Sequence, residues 1–256
     1  MKILVLVKQV PDTYGERHLS TDTGRVIRDG VENVIDEVGE RALEVALQYK
    51  DANKDTQVTI ATMGPKGTSE AIKKALAMGA DDAVHVLDDT LAGADLGLTA
   101  EVLSAVATKV GFDLIITGNE STDGRGGVMP AMIAEKLGVP HATFLNSVAI
   151  SGSGVSGQRQ TEAGTLDVSA PLPAVISITE RGPEARFPSF KGLLGAKKKP
   201  VAIETFASLG VTAPAGKSEI VSATARPPRE AGVKITDDSG DSAAQLVAFL
   251  ASNRVI

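Results

Sequence analysis

The chain has 256 residues, of which 43% are hydrophobic and 3% aromatic, and it contains no Trp and no Cys. The formal net charge of −6 argues against non-specific binding to a nucleic-acid backbone, and the scarcity of aromatic residues argues against a stacking platform for single strands. The absence of cysteine excludes disulfides, thiolate metal sites and cysteine catalysis, and it is compatible with a reducing, cytoplasmic setting.

The first half of the chain alternates between predicted strands and predicted helices. Short apolar runs predict strands at residues 3–7, 58–63, 83–87 and 113–117. Apolar residues at helical spacing predict helices at residues 40–49, from Thr68 or Ser69 to Gly79, and at 94–110. Strands separated by helices imply right-handed crossovers, so we predict an α/β fold with a parallel sheet. Ligands of such sheets bind beyond the carboxyl ends of the strands.

A glycine-rich loop at residues 118–127 lies between the strand at 113–117 and a helix that is predicted to end at Gly138. Such a loop can bind a phosphate, because backbone N–H groups point outward and the helix dipole favours negative charge. An ordinary polar turn explains the spacing equally well. Neither common fingerprint is present, since there is no P-loop and residues 8–12, after the first strand, contain no glycine.

The second half of the chain has a different pattern. Short runs at residues 147–150, 155–161 and 165–170, separated by glycines, predict a β-meander, and residues 173–178 predict another buried strand. From residue 200 the chain is rich in Pro, Ala and Ser, and only residues 243–251 are predicted to be helical. We therefore expect an α/β domain at residues 1–199, with the meander at about 145–170, and a carboxyl-terminal arm at 200–256.

Candidate catalytic residues are few. The three histidines are His18, His85 and His141, and none has a second ligand at metal-binding spacing. His85 lies inside a predicted strand and is interpreted as structural. No Ser–His–Asp arrangement is suggested, and we expect no metal site. This pattern favours a carrier or binding module over an enzyme, because a cofactor can supply the chemistry while the protein positions it.

A loop at residues 183–199 combines apolar and basic residues. Phe187 and Phe190 are two of only six phenylalanines, and they precede a cluster of three lysines at residues 197–199. A solvated surface run explains the lysines by themselves. Two phenylalanines in a loop rich in Pro and Arg favour a surface that a partner covers.

Several short motifs occur in a specific order along the chain, and together they resemble the β subunit of electron transfer flavoprotein over nearly the full length. The motifs lie at residues 5–12, 36–44, 63–65, 75–81, 118–124, 159–177, 186–189, 196–199 and 226–234.

This resemblance implies a heterodimer whose α subunit holds most of the redox-active FAD. It implies that this chain has a Rossmann-like parallel sheet of the adenine-nucleotide-binding type and holds AMP. The residues that the resemblance assigns to the AMP site are Leu6, Asp36, Glu37, Val38, Gly39, Met63, Gly118, Asn119, Glu120, Ser121, Thr122, Asp123, Gly124, Arg125, Gly126, Gly127, Val128 and Met129. Arg125, where many members of the family have an acidic or polar residue, is expected to help hold a phosphate.

The resemblance also implies the partners. The arm is expected to cross to the α subunit, and the loop at residues 183–199 is expected to dock flavin dehydrogenases such as acyl-CoA dehydrogenases. FAD then relays electrons to a quinone reductase. No nucleic-acid partner and no membrane span are expected. Phe190 occupies the position of the docking side chain. The residues assigned to docking are Phe187, Phe190, Leu193, Lys197 and Lys198.

Two other functions stay open at this point. In a flavin-bifurcating member, the site in this subunit holds a second FAD that reacts with NADH. The other alternative is a stand-alone nucleotide-sensing domain of the universal-stress type. This chain has Leu137 at the position where the motif of that type requires a glycine.

Overall fold

A nine-stranded sheet forms the centre of the structure, which is a computed structural model that describes residues 1–211, 218–229, 231–236 and 240–256. The strands in chain order are β1 (Lys2–Leu6), β2 (Gln9–Pro11), β3 (Asn33–Ile35), β4 (Gln57–Met63), β5 (Asp82–Val86), β6 (Leu114–Gly118), β7 (His141–Ile150), β8 (Gly154–Thr161), β9 (Gly164–Pro171), β10 (Ala174–Ile178) and β11 (Val201–Glu204). The helices are α1 (Glu37–Ala52), α2 (Ser69–Met78), α3 (Leu96–Val110), α4 (Met129–Leu137), α5 (Phe190–Ala196) and α6 (Ser242–Ser252).

The order of the strands creates one switch point. The large sheet has the order β11-β5-β4-β1-β6-β10-β7-β8-β9, and β2 and β3 form a separate antiparallel pair. All neighbours from β11 to β7 are parallel, whereas β8 and β9 add antiparallel strands to one edge. The chain moves outward from β1 through β4 to β5 and then returns to the other side of β1 as β6. The predicted Rossmann-like α/β fold is therefore confirmed, and a crevice is expected beyond the ends of β1 and β6.

The core consists of two layers, one on each face of the sheet. In β1, Ile3 and Val5 face the layer that contains α1 and α2, whereas Leu4 and Leu6 face the layer that contains α3 and α4. This alternation follows from the two-residue period of a strand. Because both faces are covered, the strands are apolar throughout, as is typical of parallel sheets.

The helix ends explain where the loops begin. Asp36 caps α1 by accepting a hydrogen bond from the backbone N–H of Val38 at 3.3 Å. The predicted stops at Gly79 and Gly138 are confirmed, since these residues are the C-caps of α2 and α4. Thr68 stands at the N-cap of α2, but its hydroxyl donates to Gln9 Oε1 at 3.2 Å and does not cap the helix.

Several elements differ from the sequence prediction, among them the short strands β2 and β3, which were not predicted. Strand β7 begins at His141, ahead of the predicted start at residue 147, because its first residues pair in parallel with β10. Residues 190–196, predicted as part of a loop, form helix α5. Residues 201–204, expected to belong to the arm, form β11 and extend the sheet beside β5. The first compact unit runs from Met1 to Ala223.

The second compact unit is Thr224–Ile256. Its helix α6 confirms the helix predicted at residues 243–251. Leu246, Val247 and Phe249 on this helix are exposed. Among the described residues, no helix has the length and apolar character that crossing a membrane requires.

Candidate functional site

A cavity of about 1140 Å³ opens at the switch point of the sheet. Its walls include Lys8 after β1, Gly64 after β4, Asp88 after β5 and Asn119 after β6. These positions are the carboxyl ends of neighbouring parallel strands, where ligands of open α/β sheets bind. The cavity is therefore the candidate ligand site of the first unit.

Most residues assigned to the AMP site contribute to the wall of this cavity. The assigned residues that line the cavity are Leu6, Asp36, Gly39, Met63, Gly118, Asn119, Glu120, Ser121, Asp123, Gly124, Gly126, Gly127 and Met129. The structure thus brings together three segments that are far apart in the sequence, at residues 6–8, 36–39 and 118–129.

Five assigned residues lie outside the wall, namely Glu37, Val38, Thr122, Arg125 and Val128. The Cβ of Val38 lies 3.1 Å from the point where a Cβ on Gly118 would stand, so Val38 packs behind the loop. Arg125 is exposed and adopts a positive φ of 47°. The expectation that the Arg125 side chain holds a phosphate therefore has no support from its place in the structure.

Asp36 has a structural role at the back of the site. Its carboxylate is buried, and Oδ2 accepts hydrogen bonds from both the backbone N–H and the hydroxyl of Thr122 at 2.7 Å. The other oxygen, Oδ1, caps α1. Asp36 therefore connects the start of α1 to the glycine-rich loop.

Asp123 is the centre of a charge cluster beside the cavity. Its side chain is 2% exposed, and it pairs with Lys8 at 2.8 Å and with the guanidinium of Arg28. Burial alone would raise the pKa of this carboxyl, but hydrogen bonds from Lys8, Ser121 and Arg28 and the charge of Lys8 hold the pKa well below its usual range. Two cations around one carboxylate leave this cluster, taken by itself, with a net positive charge.

The segment between β2 and β3 supplies cations that sequence reasoning missed. Arg17 donates to the carbonyl oxygen of Thr122 at 2.6 Å and to that of Pro11 at 2.7 Å. Arg25 and Arg28 line the cavity. The contact with Thr122 joins residues 105 positions apart, so no local pattern could reveal it. The available signal was three arginines in one polar segment, at positions 17, 25 and 28.

Residues 218–220 close one side of the same cavity. The backbone N–H of Ser218 donates to Asp95 Oδ2 at 3.0 Å, and both Ser218 and Ile220 line the wall. A Cβ added to Gly24 would lie 2.5 Å from the side chain of Ile220, so the two segments meet closely. Part of the sequence that was expected to form the arm therefore belongs to the wall of the cavity.

The start of α4 leaves several backbone amides available. The N–H groups of residues 126–129 have no hydrogen-bond acceptor in the part of the chain that the structure describes. Gly127 has a φ of 65°, a conformation that glycine adopts without strain. Consecutive free amides at a helix N-terminus provide the donors that a phosphate requires.

Asn119 provides an unused acceptor. Its side chain is buried in the wall of the cavity, and its Oδ1 has no hydrogen-bond partner among the described residues. Buried polar atoms are almost always hydrogen-bonded, so this acceptor is available to a donor from a ligand or from water in the cavity.

The predicted docking residues form an exposed surface on and before α5. Phe187 is 93% exposed and Phe190 is 78% exposed, and Leu193 also faces solvent. Lys197 and Lys198 are exposed just beyond the helix. We call these five residues the docking surface.

The third lysine of the cluster behaves differently. Lys199 Nζ donates to the carbonyl oxygens of Leu76 and Ala80 at 2.8 and 2.5 Å, at the end of α2. Burial, assisted by repulsion from Lys50, lowers the pKa of Lys199. Lys199 therefore fixes the end of the docking surface to α2 and is not part of it.

The remaining candidate, His85, is a core residue. It is buried in β5, and its Nε2 lies 2.9 Å from the carbonyl oxygen of Gly64. The interpretation of His85 as structural agrees with this contact.

The charge cluster leads to a prediction about pH. Because the pKa of Asp123 is lower in the folded protein than in the unfolded chain, its contribution to the free energy of unfolding is complete above about pH 5 and is lost as the pH falls through the folded-state pKa. Asp123→Asn should therefore lower the free energy of unfolding at pH 7. It should also make that free energy fall less steeply between about pH 5 and pH 3.

Urea unfolding at a series of pH values, without added nucleotide, measures this effect. Asp22→Asn is the matched control, since Asp22 is an exposed carboxyl residue in the same segment. A decline with acid in Asp123→Asn that is as steep as in the wild type would contradict the prediction.

Fold and cavity together define a class, the Rossmann-like α/β proteins with a ligand cavity at the switch point of the sheet. A family model described as the electron transfer flavoprotein domain matches residues 23–209 of the chain. The chain is also 45% identical, over 99% of its length and 99% of the relative, to "Electron transfer flavoprotein subunit beta" of Mycobacterium leprae. The chain therefore belongs to the electron transfer flavoprotein family, as a relative of its β subunits.

More distant relatives match three quarters or more of the chain. The protein of the same name from Megasphaera elsdenii is 36% identical, with 78% of this chain and 77% of the relative covered. "Caffeyl-CoA reductase-Etf complex subunit CarD" of Acetobacterium woodii is 32% identical, with 100% of both chains covered.

Proposed function

We propose that this chain is the β subunit of a heterodimeric electron transfer flavoprotein, in which it binds AMP and docks flavin dehydrogenases. FAD, held mostly by the α subunit, supplies the redox chemistry and relays electrons to a quinone reductase. The observation that carries the proposal is the cavity at the switch point, with free amides at residues 126–129 on one wall, in a chain of this family.

The residues of the cavity fit the chemical groups of AMP. The free amides at the start of α4, with the net positive cluster of Lys8, Arg28 and Asp123, suit the phosphate. Leu6 and Met63 offer apolar contact to a flat base. The unpaired Oδ1 of Asn119 can accept a hydrogen bond from an amino or hydroxyl group of the nucleotide.

A second candidate for the same site is FAD, as in a flavin-bifurcating member. The observation that favours it is the size of the cavity. At about 1140 Å³ it exceeds the usual range of ligand pockets, roughly 300–1,000 Å³, and it extends past the phosphate loop along residues 88–98. A stand-alone sensing domain has no comparable support, because the β subunits match the whole chain.

The arm of the proposed heterodimer is the second unit, Thr224–Ile256. Its helix α6 exposes the apolar side chains of Leu246, Val247 and Phe249. We assign this apolar face to contact with the α subunit, which would remove it from water.

The electron-carrier function is tested with the complete heterodimer. The chain is co-expressed with the α subunit from the same source, and the purified complex is mixed with a catalytic amount of an acyl-CoA dehydrogenase and its acyl-CoA substrate. Loss of the oxidised-flavin absorbance, dependent on the dehydrogenase, is expected. A flavin that dithionite reduces but the dehydrogenase does not would contradict the proposed partner class.

A further inference from the structure

Helix α1 holds the chain that leads to the docking surface. Residues at positions 37, 41, 44, 48 and 51 share one face of the helix, because their spacing is three or four residues. From this face, Arg41 donates to the carbonyl oxygen of Gly182 at 2.8 Å, and Glu44 accepts hydrogen bonds from Arg186. The segment before α5 is therefore attached to α1 at two points.

The contact between Glu44 and Arg186 has the geometry of a directional anchor. Nε and Nη2 of Arg186 donate to the two oxygens of Glu44 at 2.7 and 3.0 Å, and the backbone N–H of Arg186 donates to the same carboxylate at 3.2 Å. Bidentate pairs of this type fix orientation as well as distance.

Burial strengthens this anchor. Glu44 is 5% exposed, and its Oε1 also accepts a hydrogen bond from Gln48 at 3.1 Å. Arg186 contacts a second carboxylate, since its Nη1 lies 2.8 Å from Asp51 Oδ2. The hydrogen bond to Glu44 raises the pKa of the Arg186 guanidinium.

The next residue along the chain is the most exposed aromatic residue of the docking surface. Phe187 follows Arg186 directly and is 93% exposed. On its other side, Ser189 caps α5 by accepting from the N–H of Gly192 at 3.0 Å. Gly192 lies against α2, where a Cβ would be 2.2 Å from the carbonyl oxygen of Ala77. Phe187 therefore projects into solvent from a backbone that is fixed on both sides.

We propose that Glu44 is a positioning residue for docking, which acts through Arg186 to hold Phe187 in the orientation that an apolar pocket of a flavin dehydrogenase accepts. The inference rests on the docking role proposed above. An aromatic side chain held in advance loses less conformational freedom on binding, so the anchor raises affinity without contacting the partner.

The test uses the complete heterodimer with Glu44→Gln, which keeps the shape of the side chain and removes its charge. The readout is the rate of flavin reduction as a function of the concentration of a reduced acyl-CoA dehydrogenase. We expect the apparent second-order rate constant to fall about tenfold, while the rate at saturating dehydrogenase and the flavin content stay unchanged. Arg186→Lys, which keeps the charge but loses the two-pronged contact, should show an intermediate loss.

A double-mutant cycle separates positioning from a general loss of structure. If Glu44 acts through Phe187, Glu44→Gln should have little further effect in a Phe187→Ala background. Glu70→Gln is the matched control. It removes the charge of a glutamate on α2, in the same layer as α1, whose ion pair with Lys73 is exposed. The flavin of this control should be reduced at the same rate as in the wild type.

Trypsin gives a readout that needs no dehydrogenase. Cleavage between Arg186 and Phe187 requires the Arg186 side chain to leave Glu44, so cleavage there should be at least about tenfold faster in Glu44→Gln than in the wild type. Melting temperatures of the variants, measured in parallel, show whether global unfolding explains the change.

The outcomes distinguish this inference from the function on which it rests. Phe187→Ala that is reduced at the wild-type rate would overturn the positioning role. A variant that lacks both Phe187 and Phe190 and is reduced at the wild-type rate would overturn the docking function as well. A slow Phe187→Ala variant with a normal Glu44→Gln variant would overturn only the positioning role. The same would follow if the two losses added fully in the cycle.

Discussion

Replacing Gly127 with valine is expected to abolish adenine-nucleotide binding while the fold is retained. Gly127 has a φ of 65°, which a β-branched residue adopts only with strain. A new Cβ would also lie 3.4 Å from the ring of Phe144, which leaves little room for the two methyl groups beyond it. Relief of both effects turns the peptides at residues 126–129 away from the cavity. Loss of two charge-assisted hydrogen bonds, about 1.5 kcal/mol each, weakens AMP binding about a hundredfold or more.

Gly138→Val is the matched control for this prediction. Gly138 also has a φ of 65°, but it stands at the other end of α4 with open space around it. Both substitutions should lower stability by about 1–2 kcal/mol, and only Gly127→Val should lose the nucleotide. Titration calorimetry with AMP on nucleotide-free protein measures the difference. Equal losses in the two variants would assign the effect to helix α4 in general and contradict a specific phosphate site.

Removing both phenylalanines of the docking surface is expected to slow reduction by a flavin dehydrogenase by tenfold or more. The loop was predicted to use Phe190 as its anchor, but Phe187 is the more exposed of the two. We therefore expect Phe187→Ala and Phe190→Ala each to reduce the rate, and the double variant to show the largest loss. A buried aromatic anchor contributes roughly 2 kcal/mol at the centre of an interface, which corresponds to a loss of about thirtyfold.

Two further variants define this second prediction. Leu166→Ala removes an exposed apolar side chain from β9, at the far edge of the sheet, and should leave the rate unchanged. Replacing Lys197 and Lys198 with glutamine should mainly alter the salt dependence of the rate. The rate of flavin reduction against dehydrogenase concentration is the measurement. A double phenylalanine variant with the rate of the wild type would place the docking site elsewhere.

The sequence predicted the central sheet well because local signals determine it. The apolar runs that became β1, β4, β5 and β6 are buried on both faces, so their composition alone indicates a parallel sheet. Gly79 and Gly138 mark helix ends, since a positive φ at a C-cap is a local requirement. These features depend on residues that are neighbours in the chain.

The missed elements depend on contacts with distant parts of the chain. β11 is four residues long and largely exposed, and it becomes a strand only because β5 offers an open edge. α5 contains Gly192 and Gly195, which lower its helix propensity, yet Gly192 is what allows the helix to approach α2. Tertiary packing decided both cases.

The site was predicted from its glycine-rich loop and not from its charges. The loop has a local pattern, whereas the cations that surround it do not. Lys8 reaches Ser121 across 113 positions, and Arg17 reaches Thr122 across 105. Asp36 and Arg125 were both expected at the ligand. Asp36 lies in the cavity wall and also links α1 to Thr122, whereas Arg125 lies outside the wall.

The nucleotide and flavin content of the purified heterodimer tests the account most directly. The complex is denatured without dialysis, and the released small molecules are identified by mass and quantified against protein. We expect one AMP and one FAD for each heterodimer. Two FAD and no AMP would assign the cavity to a second flavin, and a complex that carries one FAD and no adenine mononucleotide would contradict the proposed AMP site.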